Sequence, residues 1–368
     1  MTDRYFEEGE ARARALGNRG PLELDAQGML ARHVLDTYWR EGFYVFEGVV
    51  QPDELRELVT DFESVLDRAP RASGAHEDAR GRPAIGTDFE RPSFKFARPL
   101  SDPNGGTGEI GGRYQAKMVE HAPPPGAPTQ VVLQMSGILQ LMDSALRLYG
   151  HPQLLRVAEQ INGPDFTPFT DTIWVKQPGL GASVSWHQDG TTHWDNPELD
   201  AGTHGFNFMV QLYGTTPQNA LWVVPGTHHD GKIDIRERLA TTGGTDRLPD
   251  AVPMLCQPGD VAICNRQVLH GSFANTSEHP RATFVFGFHR RASVLGAQGW
   301  WSETPYDDAR ILARSRIIAL AVDARRQRFP TEVAYEHAAL AEAGVVAHWD
   351  EAARESVLKN YNLNDLGI

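Results

Sequence analysis

From about residue 168 to 290 the chain is written in short runs of β-branched and aromatic residues. "TDTIWVKQ", "FNFMVQLYG", "ALWVVPG", "DVAICN" and "ATFVFGFH" are each bounded by Gly, Pro, Asn or Asp. Runs this short and this closely punctuated leave no room for the helices of βαβ units. They suit an antiparallel sandwich or barrel instead. A mainly β core is therefore expected over 165–295.

The flanks have a different texture. "GFYVFEGVV" (42–50) reads as a strand. Residues 51–67 then place Leu55, Leu58, Val59, Phe62, Val65 and Leu66 on one helical face, with Pro52 and Asp53 as the start signal. Residues 72–128 are dense in Gly and Pro, the composition of a long irregular segment that shapes a binding site. A helical region is expected over 130–161. Helical periodicity returns after 305, with Ile311, Leu312, Ile317, Ile318 and Leu320. No linker separates these parts. A single domain is expected: an N-terminal strand, helices and loop (1–164), a β core (165–295) and C-terminal helices (296–368).

Charge narrows the partners. The formal net charge is −13, which argues against DNA, RNA or an anionic membrane surface as partner. The longest uninterrupted apolar run, "IIALAV" (317–322), is too short to span a bilayer. "MTDRYFEEGEARARALG" has no apolar export core. Cys256 and Cys264 read as two reduced core thiols. These features suggest a soluble, cytoplasmic protein acting on a small molecule. Oligomeric state stays open, a homodimer among the options.

The stretch "SVSWHQDGTTHWDN" (183–196) raises the question of a metal. His-x-Asp occurs five times, beginning at His76, His187, His193, His228 and His348, so the tripeptide alone decides nothing. A non-haem iron(II) site takes two His and one carboxylate on one face. Residues i and i+2 of an extended segment point the same way, so His-x-Asp supplies two ligands together. The third must come from a distant strand, and an acidic co-substrate needs a fixed cation, for which the planar fork of Arg is suited. Downstream, "PGDVAICNRQVLHGSFANTSEHPRATFVFGFH" (258–289) offers that pair, with Arg281 eleven residues past His270. His187 and Asp189 lie at a strand end, which holds ligands more precisely than the loop carrying His193 and Asp195.

His-Gln-Asp at 187–189, Pro-Gly-Thr-His after "ALWVV", and Pro-Gly-Asp leading to a distal His and then Arg occur in that order. This pattern over about 165–290 resembles the phytanoyl-CoA dioxygenase family of Fe(II)/2-oxoglutarate oxygenases. "REGFYVFEGVVQPDELREL" resembles that family's opening strand and helix. The resemblance implies a double-stranded β-helix (jelly-roll, cupin-like) barrel. It implies iron(II) on His187, Asp189 and His270, with 2-oxoglutarate held by Arg281 and O₂ as oxidant.

Gln134 is similar in placement to a polar 2-oxoglutarate contact of relatives. Asn207 or Gln211 is expected to point into the barrel, while Met209 or Phe208 stands where relatives often carry Trp. His193 and Trp194 are placed near the mouth as substrate contacts. The pair His228 and Asp230 matches a surface turn of the family. His289-Arg290-Arg291 is either an anion contact or a solvated strand end, and Trp300-Trp301 is a packing or subunit contact. Halogenating relatives carry a small residue where Asp189 stands, so hydroxylation or another oxidation without halide transfer is expected. An acyl-CoA substrate is not indicated, since no cradle for a polyphosphate is visible. Two other readings stay open: a zinc or nickel barrel acting by hydrolysis or isomerisation, and a non-catalytic ligand-binding barrel.

Overall fold

Alternation along one strand shows how the core is organised. In β12 (Arg281–His289), Ala282, Phe284, Phe286 and Phe288 are buried on one face among helices. Arg281, Thr283, Val285, Gly287 and His289 lie on the other, as a two-residue period requires. In a computed structural model, the structure describes residues 3–108, 112–189, 205–297, 305–359 and 361. The remaining strands are β1 (Arg19–Pro21), β2 (Phe43–Glu47), β3 (Phe94–Ala97), β4 (Val131–Ser136), β5 (Thr167–Lys176) and β6 (Val184–His187). They continue with β7 (Gly205–Gln211), β8 (Trp222–Val224), β9 (Val252–Pro253), β10 (Val261–Asn265) and β11 (Leu269–Ser272).

Two sheets form. The larger runs β1-β2-β10-β7-β12-β5-β4-β3 and the smaller β6-β11-β8-β9. The pairings are antiparallel except β1 with β2. Val223 and Val252 of the smaller sheet pack against Phe43, Val45, Met209, Ala262 and Val285 of the larger. The sheets thus face each other across an apolar layer, the jelly-roll arrangement. The outer face of the larger sheet is covered by helices. Helix Pro52–Asp67, started by Pro52 with Asp53 and Glu54 in its first turn, buries Leu58, Phe62 and Val65 there. Helix Asp308–Arg328 adds Ile317, Ile318 and Leu320. Each fully buried Phe of β12 contributes about 1.5–3 kcal/mol through area removed from water. Truncating Phe286 to Ala would cost about 3–5 kcal/mol, cavity included.

Two expectations need correction. Residues 131–136 form β4, so the segment expected to be helical from 130 is a strand until Ser136 and helical only from Ile138. "VVLQMS" opens with two β-branched valines and hydrogen-bonds to β5, and that pairing overrides the helical periodicity beyond it. Likewise the Gly/Pro-dense segment 72–128 contains β3. The two cysteines are buried and free, as expected. Among the described residues no helix is long and apolar enough to cross a membrane.

Candidate metal centre

β6 ends at His187, and antiparallel pairing with β11 puts His270 directly opposite. The two imidazole centroids are 4.1 Å apart. His187 donates Nδ1–H to the Ser185 carbonyl at 2.7 Å and His270 donates Nδ1–H to the Val268 carbonyl at 2.9 Å. Those bonds fix the tautomer, leaving both Nε2 lone pairs for a metal. The approach of the strands depends on Gly271, where a Cβ would lie 3.1 Å from the Trp186 amide nitrogen.

Asp189 follows two residues after His187, its amide bonded to the Arg266 carbonyl at 2.7 Å. Its Oδ1 is 3.6 Å from His187 Nε2 and its Oδ2 3.9 Å from His270 Nε2. The three ligand atoms lie within 4.8 Å of one another, and this is the metal-competent cluster found among the described residues. Burial pushes both imidazoles below their ordinary range, so they are neutral near pH 7. Burial, the largest single effect, would raise the Asp189 carboxyl, but the Arg113 guanidinium together with His270, His187 and Arg266 outweighs it and holds the group well below the usual carboxylate range. Two neutral nitrogens and an ionised oxygen are the donor state a divalent ion needs.

Arg113 was not legible in the sequence. It donates Nη1 to Asp189 Oδ1 at 2.9 Å and Nη2 to the Tyr114 hydroxyl at 2.7 Å, and the Tyr114 ring lies 4.8 Å from that of His187. Asn207, on the inward face of β7 as expected, brings Nδ2 to 3.4 Å from Asp189 Oδ2. It has room because the residue across the ladder is Gly287, where a Cβ would come within 2.2 Å of Asn207 Oδ1. Arg266 lies 3.8 Å over the Phe169 ring and bonds to His289, so His289 is buried and stacked, not a solvated strand end. Gln211 also faces inward, accepting from Thr283.

Arg281 opens β12 on the same inward face as Thr283. It is 4% exposed, it donates Nη1 to the Asn219 carbonyl, and its Nε has no acceptor. Burial with no carboxylate opposite among the described residues pushes its pKa down to about 10. Ser272, two residues past His270, is fully buried with its hydroxyl unpaired. The i, i+2 spacing from a ligand was the signal that would have found it. Lys176, paired in register with Arg281, is a second buried cation, but its Nζ is spent on the carbonyls of Ala182 and Phe273. A buried guanidinium without an anion among the described residues fits a bound carboxylate.

The other expected site residues divide. Gln134 is half-buried on β4, opposite Trp174, whose neighbour on the far side is Thr283. It stands on the sheet that carries Arg281, though nothing ties it to the triad. His193, Trp194 and the Trp300-Trp301 pair lie outside the described residues. His228 is buried, not a surface-turn residue, and donates to the Trp39 carbonyl at 2.9 Å. His348 pairs with Asp323 at 3.3 Å.

A family model described as phytanoyl-CoA dioxygenase (PhyH) matches residues 38–283, more than half of the chain. The chain belongs to that family. It is 32% identical over 143 residues to phytanoyl-CoA dioxygenase domain-containing protein 1 of Danio rerio, covering 35% of this chain and 47% of that protein. It spans about half the length of the first curated relatives it matches. L-proline trans-4-hydroxylase of Streptomyces griseoviridis is 24% identical over 191 residues, covering 44% of this chain and 69% of that one. Among solved structures, EctD from S. alaskensis with 2-oxoglutarate and 5-hydroxyectoine aligns with a TM-score of 0.51 at 18% identity. That alignment covers 78% of this chain and 89% of that one, a likeness of fold. Membership of the family accounts for the triad's order in sequence, and the jelly-roll accounts for its convergence in space.

Proposed function

We propose that this member of the phytanoyl-CoA dioxygenase family is an iron(II)- and 2-oxoglutarate-dependent dioxygenase. It would oxidise a C–H bond of a small organic substrate, by hydroxylation and without halide transfer. The observation that carries the reading is one juxtaposition. A two-His, one-carboxylate cluster stands in the same interior as a buried arginine that has no anion to pair with among the described residues. Either alone is compatible with a structural role; together they fit a ferrous ion and a dicarboxylate.

His187, Asp189 and His270 would hold the ion, and their donor set is that of non-haem iron(II) oxygenases. Iron, when bound with 2-oxoglutarate and O₂, supplies the oxidising power for C–H cleavage, with release of succinate and CO₂. The chain's own work is binding and placement. Arg281 grips the distal carboxylate. The Ser185 and Val268 carbonyls hold the imidazoles in their ligating tautomer. Asp189 fills the position that a halide would need, which supports oxygen insertion. The buried lining around the triad keeps bulk water away from the reacting centre.

The names of the relatives, a proline hydroxylase and a structure holding 5-hydroxyectoine, support an amino-acid-like or other small-metabolite substrate for this chain. The test is succinate release by iron-loaded protein against a panel of such compounds, in air and under nitrogen, with product mass followed. The expected result is substrate-stimulated succinate in air only and a product heavier by one oxygen. Turnover that persists under nitrogen without 2-oxoglutarate would replace this reading with hydrolysis or isomerisation on a redox-inactive metal.

A further inference from the structure

Asp189 turns both carboxylate oxygens toward the space between the imidazoles, Oδ1 at 3.6 Å from one Nε2 and Oδ2 at 3.9 Å from the other. Its own placement therefore does not select between coordination through one oxygen and through both. The selection comes from outside the triad. Oδ1 accepts from Arg113 Nη1 at 2.9 Å, a charge-assisted bond, whereas among the described residues the donor at Oδ2 is Asn207 at 3.4 Å. Arg113 is itself fixed, since its Nη2 is bonded to the Tyr114 hydroxyl and that ring packs on His187. The guanidinium is 16% exposed and comes from a segment far from the triad in sequence.

On the proposed reading, an octahedral ion holding two imidazoles and a two-point co-substrate has two positions left. A carboxylate on both oxygens takes both and leaves none for a third reactant. We infer that Arg113 is a positioning residue: it occupies Oδ1, leaves Oδ2 as the ligating atom, and so keeps one coordination position open. Arg113 also stands as a like charge beside the cation, and this fixes the sign of its effect. If Arg113 merely propped up Asp189, its loss would loosen a ligand and weaken metal binding. If it withholds an oxygen and repels the ion, its loss tightens metal binding and closes the position left for the third reactant, with the co-substrate still bound.

The experiment titrates wild type, Arg113→Met and Arg113→Gln with Co(II), following the visible spectrum, and adds 2-oxoglutarate to the cobalt-loaded proteins. The iron(II)- and 2-oxoglutarate-loaded proteins are then titrated under nitrogen with nitric oxide, a neutral ligand for the remaining position, following the EPR signal. Arg113→Met should bind Co(II) roughly tenfold tighter, from removal of one nearby charge, and bind nitric oxide at least roughly tenfold more weakly once 2-oxoglutarate is in place. Arg113→Gln loses the charge but keeps a donor for Oδ1, so it should share the tighter cobalt binding and retain wild-type nitric oxide binding. It also preserves the test if the Met variant fails to fold. Weaker or unchanged cobalt binding in either variant would overturn the role given to Arg113. A wild type that binds no Co(II), or whose cobalt form ignores 2-oxoglutarate, would instead count against the proposed function.

Discussion

His187 and His270 stand opposite one another in the β6–β11 ladder, and each spends its Nδ1–H on the carbonyl two residues before it. The same local geometry thus repeats on two strands far apart in sequence, and it aims two Nε2 lone pairs at one point. Asp189 completes the set from the chain just beyond β6. Its charge is balanced in the metal-free protein by Arg113.

That balance makes Asp189→Asn costly even without metal. The substitution leaves the Arg113 guanidinium nearly buried with no counter-charge, a change worth about 3 kcal/mol. Chemical denaturation of the metal-free proteins should show this loss. An unchanged midpoint would mean that Arg113 is solvated and the pair contributes nothing.

Arg281 should behave in the opposite way. It is a buried cation that the metal-free fold does not pair, so Arg281→Met should leave stability of the metal-free protein unchanged or raised. The same variant should raise the concentration of 2-oxoglutarate needed for half-maximal binding by about a hundredfold, the cost of a lost buried charge pair. A destabilised variant with normal 2-oxoglutarate binding would show that Arg281 is a structural strut.

Gly287 carries a steric prediction. A methyl group there would overlap Asn207 Oδ1, so Gly287→Ala should cost about 1–3 kcal/mol through overpacking. It should also shift the Asn207 side-chain amide resonances in NMR spectra. Wild-type stability and unmoved resonances would show that the strands part without strain.

Stability should also fall with acid. His151 is buried, its Nδ1 has no partner, and burial pushes its pKa down to about 3 from 6.5. The unfolded chain takes up this proton near pH 6.5 and the folded chain does not. Stability is therefore full above pH 6.5 and is lost as pH falls, by about 1.4 kcal/mol per unit between roughly pH 6 and 4. His151→Asn should flatten that slope by the same amount in denaturation curves at several pH values. Identical slopes would place the proton uptake elsewhere.

Much of the site was legible because strand alternation converts spacing into direction. His187 with Asp189, the inward Asn207 and Gln211, and Arg281 after His270 all follow from a period of two and one ordered motif. Arg113 and Tyr114 were not legible, since they come from an irregular segment whose path no periodicity dictates. β4 was misread because its opening valines adjoin a truly helical stretch, and only its partner β5 decides its state. His289 was read as either an anion contact or a solvated strand end, but Phe169 and Arg266 cover it. Such cross-chain packing leaves no trace in local composition.

The convergence of His187, Asp189 and His270 on one ferrous ion is tested most directly by anaerobic equilibrium titration with Fe(II). Wild type is measured beside His187→Ala, Asp189→Ala and His270→Ala. The expected result is one equivalent bound by the wild type and none retained by any variant after desalting. A wild type that holds no iron, or a variant that still holds a full equivalent, would contradict the assignment.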